Sequence, residues 1–162
     1  MLDIIVVLHN VRSLHNVGSI FRTADAAGIK KIYLCGITPS PLDRFGKLRE
    51  QFKKVSLGAE NSVQWEKSLS TTQLIVRLKK QDYKILAVEQ AKRATPYYKI
   101  NRSYVKNFKT CLVLGNEIKG IPTSILKKAD KILEIPMRGE KESLNVAVAF
   151  GIVAYSLMLP VL

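Results

Sequence analysis

Apolar and polar positions alternate along the chain in blocks that predict strands and helices in turn. Short apolar runs typical of buried strands occupy residues 4–8, 31–35, 85–88, 110–114 and 132–135. Helical spacing or start and stop signals predict helices over residues 17–27, with Gly28 as the stop, over 72–80, and over 122–128. This alternation is typical of βαβ units, and it predicts an α/β fold with a largely parallel sheet flanked by helices.

The C-terminal segment, residues 144–162, has a different pattern because it is apolar on every helical face. Such a helix is buried in a core, in a partner or in a membrane. A membrane span needs about 20 apolar residues, and here Asn145, Gly151, Ser156 and Pro160 interrupt the run. The pattern therefore favours core on one side of the helix and a second subunit on the other, with a membrane anchor as the alternative.

Length and composition indicate one domain over residues 1–162, without linker, low-complexity tract or repeat. The 26 Lys and Arg residues outnumber the 13 Asp and Glu residues, which gives a net charge of +13. This excess points to a polyanionic partner, although charge alone does not separate nucleic acid from an anionic membrane. The first ten residues read as a strand rather than a signal peptide, so we expect a cytoplasmic protein.

Several common chemistries lack their motifs in this sequence. Neither a G-x-G-x-x-G after the first strand nor a G-x-x-x-x-G-K-[ST] is present, so a dinucleotide-binding Rossmann enzyme and a P-loop NTPase lose support. Cys35 and Cys111 lie in apolar strands and read as core residues, and His9 and His15 are too few for a metal site. We therefore expect no metal.

Three segments carry candidate chemistry: residues 16–22 (NVGSIFR), 115–120 (GNEIKG) and 135–149 (IPMRGEKESLNVAVA). The first begins a helix whose polar wedge holds Asn16 and Arg22; the alternative is an N-cap Asn followed by a solvated Arg. The second follows a buried strand, where glycine lets backbone approach a ligand; the alternative is an ordinary strand-to-helix turn. The third joins a charged loop to the apolar helix, with polar side chains at the helix mouth.

Together these segments resemble the motifs of the SpoU/TrmH family of SPOUT RNA 2'-O-methyltransferases. The first motif matches LHNVGSIFRTADAAG, the second VLGNEIKG and the third IPMRGEKESLNVAVA. The text KKVSLGAENSVQW between them is also similar to the family, so the resemblance spans almost the whole chain. All three motifs, in order and at these separations, are highly specific.

The resemblance implies a C-terminal trefoil knot, a homodimer with each active site at the interface, and S-adenosylmethionine as cofactor. It also implies transfer of a methyl group to a ribose 2'-hydroxyl of tRNA or rRNA. By position, the residues that would surround the cofactor are Val88, Gly115, Ile135, Met137 and Leu144. Those that would serve catalysis are Arg22, Asn16, Glu117, Ser143 and Asn145.

Arg22 is the family's candidate for handling the proton of the 2'-hydroxyl. Arginine stays protonated at ordinary pH, so a general base would have to be strongly perturbed. A guanidinium fork that grips an RNA phosphate and orients the ribose is the more conservative role. Asn16 would position Arg22 or the ribose, Glu117 would orient those donors, and Ser143 and Asn145 would hold substrate or loop.

Basic residues in two stretches, some interleaved with tyrosines, would track phosphates and stack exposed bases. The first stretch holds Arg44, Lys47, Arg49, Lys53 and Lys54; the second holds Lys92, Arg93, Lys99, Arg102, Lys106 and Lys109, with Tyr97, Tyr98 and Tyr104. The alternative to an active methyltransferase is a catalytically inactive RNA-binding relative in ribosome assembly. Intact motif residues weigh against that alternative.

Overall fold

The computed structural model describes residues 2–158 and, among them, every side chain except that of Arg102. It contains one parallel sheet whose strands, in chain order, are β1 Ile4–His9, β2 Lys31–Cys35, β3 Gln64–Ser68, β4 Tyr83–Val88, β5 Thr95–Pro96, β6 Lys109–Leu114 and β7 Lys131–Glu134. Their order across the sheet is β3-β2-β1-β6-β4-β7-β5, and each neighbouring pair is parallel. The predicted α/β fold with a largely parallel sheet is confirmed.

Helices cover both faces of this sheet. They are α1 Leu14–Ala26, α2 Glu50–Ser56, α3 Ala59–Ser62, α4 Thr71–Lys80, α5 Arg102–Asn107, α6 Thr123–Leu126 and α7 Val146–Met158, with a 3-10 turn at Tyr97–Lys99. Alternate residues of β1 divide the core: Ile4, Val6 and Leu8 join the cluster that contains residues of α1 and α7. Ile5 and Val7 join the opposite cluster, with residues of α4 and α6. Two apolar layers therefore enclose the sheet, as expected where parallel strands are buried on both faces.

The predicted strands and helices are present, with ends shifted by up to three residues. The elements that were not predicted, including α2, β3 and α5, carry mostly polar sequence. β3, with the sequence QWEKS, lies at the sheet edge, where its Glu66 binds Lys31 and Arg77 at 3.1 Å each. An edge strand with one solvated side shows too little apolar patterning to be found from sequence. The prediction that Cys35 and Cys111 are core residues is confirmed, since both are buried.

The C-terminal helix α7 buries one face and leaves another uncovered. Phe150, Val153 and Leu157 are buried, whereas Val148 is 51% and Tyr155 36% exposed. No helix within residues 2–158 is long and apolar enough to cross a membrane. The end of the apolar run, residues 159–162, lies outside the described residues. The knot and the extent of the single domain, 1–162, stay predictions.

Candidate active site

A cavity of about 300 Å³ opens at the carboxyl edge of the sheet, where β6, β4 and β7 lie side by side. The loops that follow these three strands form its walls, and the start of α7 closes it. Crevices at this edge are the usual ligand sites of open α/β sheets. The cavity is lined by all five residues that the sequence resemblance assigned to the cofactor, Val88, Gly115, Ile135, Met137 and Leu144, and by Glu117, Ser143 and Asn145.

The loop after β6 packs tightly against itself at this cavity. A Cβ atom on Gly115 would lie 2.5 Å from the carbonyl carbon of Gly120, so position 115 has no room for a side chain. Gly120 has a φ of +64°, and its N–H donates to the Asn116 carbonyl at 2.9 Å. Asn116 Oδ1 in turn accepts from the N–H groups of Ile118 and Lys119, at 2.9 Å each. The backbone that approaches Gly115 closely is therefore that of the loop itself.

Glu89 is a cavity residue that sequence reasoning missed. Its Oε2 accepts from the N–H of Ile121 at 2.8 Å and its Oε1 from the N–H of Gln90 at 2.9 Å. Gln90 Nε2 donates to the Ile135 carbonyl at 2.7 Å. These bonds tie the loop after β4 to those after β6 and β7. A carboxylate directly after a buried strand is a usable signal, but its value depends on knowing that β4 lies between β6 and β7.

One hydrogen-bonded network joins a residue from each of the three motifs. Asn145 Nδ2 donates to Asn16 Oδ1 at 3.0 Å, and Asn16 Nδ2 donates to Glu117 Oε1 at 3.1 Å. The Glu117 carboxylate also accepts from the N–H groups of Arg12, at 2.9 Å to Oε2, and Ser13, at 3.0 Å to Oε1. Asn145 Oδ1 caps α7 by accepting from the N–H of Ala147 at 2.9 Å. The network therefore fixes the starts of α1 and α7 against the loop after β6.

The interpretation of Asn16 as an N-cap is wrong. The cap of α1 is Ser13, whose side chain accepts from the N–H of Asn16 at 3.2 Å. Asn16 lies in the first turn of the helix, three residues after the cap, and is only 9% exposed. Its amide is therefore available for Glu117 and Asn145 rather than for the helix end.

The pKa of Glu117 lies below its ordinary value. Partial burial by itself raises the pKa, but the hydrogen bonds from Arg12, Ser13 and Asn16 stabilise the charged carboxylate and outweigh that effect. Glu117 is therefore held in its ionised form, as an acceptor within the network.

Arg22 lies apart from this network. It follows Asn16 by almost two turns of α1 and is exposed, while its helix neighbours Ile20, Phe21 and Ala24 are buried. The guanidinium belongs to a second, open hollow between α1, α2 and α7, lined also by His15, Ser19, Thr23, Ala26, Lys54, Val55 and Tyr155. Asn16 bonds to Glu117 and Asn145 rather than to Arg22. Within one chain, the structure does not bring Arg22 to the cavity.

Ser143 lies in the loop between β7 and α7. Residues 138–145 of this loop are exposed, and Ser143, Leu144 and Asn145 form the wall of the cavity beside α7. Asn145 is fixed by the network, while Ser143 faces solvent at the rim. No group of three His, Cys, Asp or Glu side chains within residues 2–158 is placed to hold a metal ion.

The parallel α/β fold and the cavity at the carboxyl edge of its sheet are those of a ligand-binding α/β protein. The model of the SpoU rRNA Methylase family matches residues 3–155, and the chain therefore belongs to this family.

Relatives of this chain include a tRNA (guanosine(18)-2'-O)-methyltransferase from Aquifex aeolicus. It is 33% identical over 94% of this chain and 67% of that protein. The tRNA (guanosine(18)-2'-O)-methyltransferase of Escherichia coli is 31% identical over 94% of this chain and 62% of its own length. The AdoMet-bound rRNA methyltransferase from Sinorhizobium meliloti superposes with a TM-score of 0.85 at 28% identity, over 96% of this chain and 55% of that one. The chain thus spans roughly two thirds or less of these relatives.

Proposed function

We propose that this chain is an S-adenosylmethionine-dependent methyltransferase that acts on a ribose 2'-hydroxyl of tRNA or rRNA. The observation that carries the proposal is the cavity at the carboxyl edge, lined by all five residues that the resemblance assigns to the cofactor. Family membership and the methyltransferase names of the relatives support it. Those names offer no support for a catalytically inactive, RNA-binding relative.

The residues present fit S-adenosylmethionine. The cavity, at about 300 Å³, has the size of a small-molecule site, and its walls combine apolar side chains with backbone groups, as an adenine ring requires. The side-chain-free position at Gly115 keeps the loop after β6 closed on itself beside the cavity. Val88, Ile135 and Leu144 would hold the apolar part of the cofactor. When bound, the cofactor supplies a methyl group on a positively charged sulfur, ready for transfer to an oxygen nucleophile.

The network of Asn145, Asn16 and Glu117 would fix the walls of this cavity rather than carry the proton. The polar atoms of these three side chains form hydrogen bonds with one another and with backbone N–H groups at the starts of α1 and α7. They are positioning residues, because a displaced wall misaligns the hydroxyl and the methyl group.

Arg22 is the residue we assign to the RNA. Its guanidinium is exposed, and it shares a hollow with Lys54, so two cations face the same space. A guanidinium binds a phosphate through two parallel hydrogen bonds and so fixes the adjoining ribose. Arg22 would orient the ribose in this way, with the phosphate or water assisting removal of the proton.

We further propose a homodimer in which the active site forms at the interface. The uncovered face of α7 supports this, because Val148 and Tyr155 are exposed and Tyr155 lines the hollow of Arg22. Association through this face would cover those apolar side chains and bring Arg22 into an enclosed site. It would also account for the separation of Arg22 from the cavity of its own chain.

RNA would be held by the two basic stretches. The first five cations, Arg44, Lys47, Arg49, Lys53 and Lys54, are exposed, as are Lys92, Arg93, Lys99, Lys106 and Lys109. Of the tyrosines, Tyr98 is 57% exposed, whereas Tyr97 and Tyr104 are half-buried. Affinity for RNA should fall steeply with salt, because each neutralised phosphate releases counterions. A cytoplasmic location stays a prediction.

The test is transfer of tritiated methyl groups to RNA from a strain lacking the gene, followed by mapping of ribose methylation. The wild-type protein should label RNA at a ribose, and Arg22→Ala should abolish transfer while cofactor binding survives. Arg77→Ala is the matched control, because Arg77 is an exposed arginine whose partner is Glu66, far in sequence from the motifs. Equal loss of cofactor binding in Arg22→Ala, or no ribose labelling by the wild type, would contradict the proposal.

A further inference from the structure

Phe45 stands at the tip of the loop that follows β2, and its side chain is held in solvent. It is 78% exposed, although it belongs to the most hydrophobic class of side chains. The tip is closed by Asp43, whose Oδ1 accepts from the N–H groups of Phe45 at 2.8 Å and Lys47 at 2.9 Å. The N–H of Asp43 donates to the Lys47 carbonyl at 2.8 Å. The phenyl ring is therefore presented by a formed turn rather than by an unstructured segment.

The base of the same loop is fixed to the core. Thr38 is fully buried, and its hydroxyl accepts from the N–H of Val11 at 3.1 Å. The same hydroxyl lies 2.9 Å from the Leu8 carbonyl and 2.8 Å from that of Cys35. Residues Leu42 and Leu48 pair as an antiparallel bridge just below the tip. The start of the loop is thus anchored to the core and its two arms are paired below the tip, while Phe45 stays exposed.

The surroundings of the ring are cationic. The guanidinium of Arg44 lies 4.7 Å from the ring centroid, and Lys47 and Arg49 are exposed on the same loop. Asp43, the acidic residue of the tip, has its carboxylate engaged with backbone N–H groups. An aromatic ring with cations around it complements an unpaired nucleotide, whose base stacks and whose phosphate is negative.

The loop lies at the edge of the sheet that carries the cavity. It follows β2, and parallel strands deliver their following loops to one edge. Asn10 connects the two places: its carbonyl accepts from Asn116 Nδ2 at 2.7 Å, and its Oδ1 accepts from the N–H of Ile37 at 3.1 Å. The loop that carries Phe45 and the loop after β6 at the cavity are therefore linked through Asn10 at one edge of the sheet.

We propose that Phe45 is a stacking platform for an unpaired base of the RNA, flanked by Arg44 and Lys47 as phosphate contacts. The proposal rests on the proposed function for the nature of the ligand. It gives the aromatic ring a role that the phosphate-tracking cations cannot fill. Cations bind single-stranded and double-stranded RNA alike, whereas a phenyl ring stacks only on a base that is free of its neighbours.

The experiment compares Phe45→Ala with the wild-type protein in binding to a short single-stranded oligoribonucleotide and to its duplex. Phe45→Ala should weaken single-stranded binding about tenfold, the effect typical of one lost base stack, and leave duplex binding unchanged. Phe45→Trp should keep the affinity, whereas Phe45→Leu, which is apolar but not planar, should lose it. Val76→Ala is the matched control. Val76 is an exposed apolar side chain on helix α4, which packs on the sheet face formed by Ile5 and Val7.

The outcomes separate this proposal from the proposed function. Unchanged single-stranded binding in Phe45→Ala overturns the stacking role even if the wild type methylates RNA. Equal loss with both RNA forms overturns it too, since that pattern indicates a general electrostatic or folding effect. If RNA binding is unchanged but sedimentation shows weaker self-association, Phe45 belongs to a contact between copies instead. A wild type that binds RNA and never labels ribose contradicts the proposed function alone, because the Phe45 comparison is made on binding.

Discussion

The two halves of helix α1 present the same motif in opposite ways. In its first turn, Asn16 is 9% exposed and has both ends of its amide bonded, to Glu117 and to Asn145. Almost two turns later Arg22 is exposed and lines an open hollow. Both belong to one 13-residue helix and one sequence motif. The difference shows that membership of a motif does not by itself say whether a residue is bonded inside the fold or left exposed to solvent.

The physical reason is how far the hydrogen-bonding groups of each side chain can be satisfied when the side chain is buried. A carboxamide has donors and an acceptor, so it can be satisfied completely inside a network. A guanidinium carries a permanent charge and five donors, and it keeps its binding capacity only where it is left free. Stability should therefore depend on Asn16, Asn145 and Glu117, and substrate chemistry on Arg22.

Asn16→Ala should cost the most, about 2–3 kcal/mol in the free energy of unfolding. The change removes a bond to a charged carboxylate and leaves the amide of Asn145 without its acceptor. Urea unfolding measures the cost, with Ser19→Ala on the same helix as a control for the loss of a polar side chain. A cost below that of the control would show that the network is not stabilising.

Asn145→Ala should cost about 1–2 kcal/mol, because it removes the N-cap of α7 as well as the bond to Asn16. Asn145→Ser keeps a capping oxygen and should recover part of the loss. In a double-mutant cycle with Asn16→Ala the two costs should be non-additive by at least about 0.5 kcal/mol. Strict additivity would mean that the two residues act independently.

Glu117→Gln should change the pH dependence of stability. The folded pKa of Glu117 is below its ordinary value, so its ionised form stabilises the protein above the unfolded pKa, about 4.3. That contribution is lost as pH falls through the folded pKa. The gap in urea midpoint between wild type and variant should therefore be widest near neutral pH and should narrow as pH drops below about 4.

Glu140→Gln is the control for that pH series, because it removes one negative charge from the exposed loop before α7. It should shift the unfolding midpoint little at any pH in the series. A gap that stays constant with pH for Glu117→Gln would contradict the role of its carboxylate as a charged acceptor.

Arg22→Ala should have the smallest effect on stability, within about 0.5 kcal/mol, because the side chain is exposed. This is the same variant that should lose methyl transfer. The pair of measurements, unfolding and transfer, makes the contrast with Asn16→Ala direct. Destabilisation as large as that of Asn16→Ala would remove the distinction between the two halves of the helix.

Some features of the fold and the site could be read from the sequence because they depend on local pattern. The continuous apolar runs of β1 and β6 indicate central parallel strands, and both are buried on either face of the sheet. The five residues that the resemblance assigned to the cofactor line one cavity; four of them lie in motifs that follow strands, and Val88 is the last residue of β4. β3 was not predicted because it is a polar edge strand. Glu89 was not predicted because its hydrogen bond to Ile121 depends on which strands lie beside β4.

The alternation of strands and helices, the buried cysteines, the positive charge and the family motifs are evident from residue type and spacing along the chain. Which motif residues meet depends instead on how the chain folds. Asn16 lies more than a hundred positions before Glu117 and Asn145 in the chain. Its amide nevertheless forms hydrogen bonds with both, at 3.0 Å to Asn145 and 3.1 Å to Glu117. The strand order brings those loops to one edge, and hydrogen bonding requires a proximity that spacing along a chain does not encode. Arg22 and Phe45 are exposed, as their proposed roles in RNA binding require.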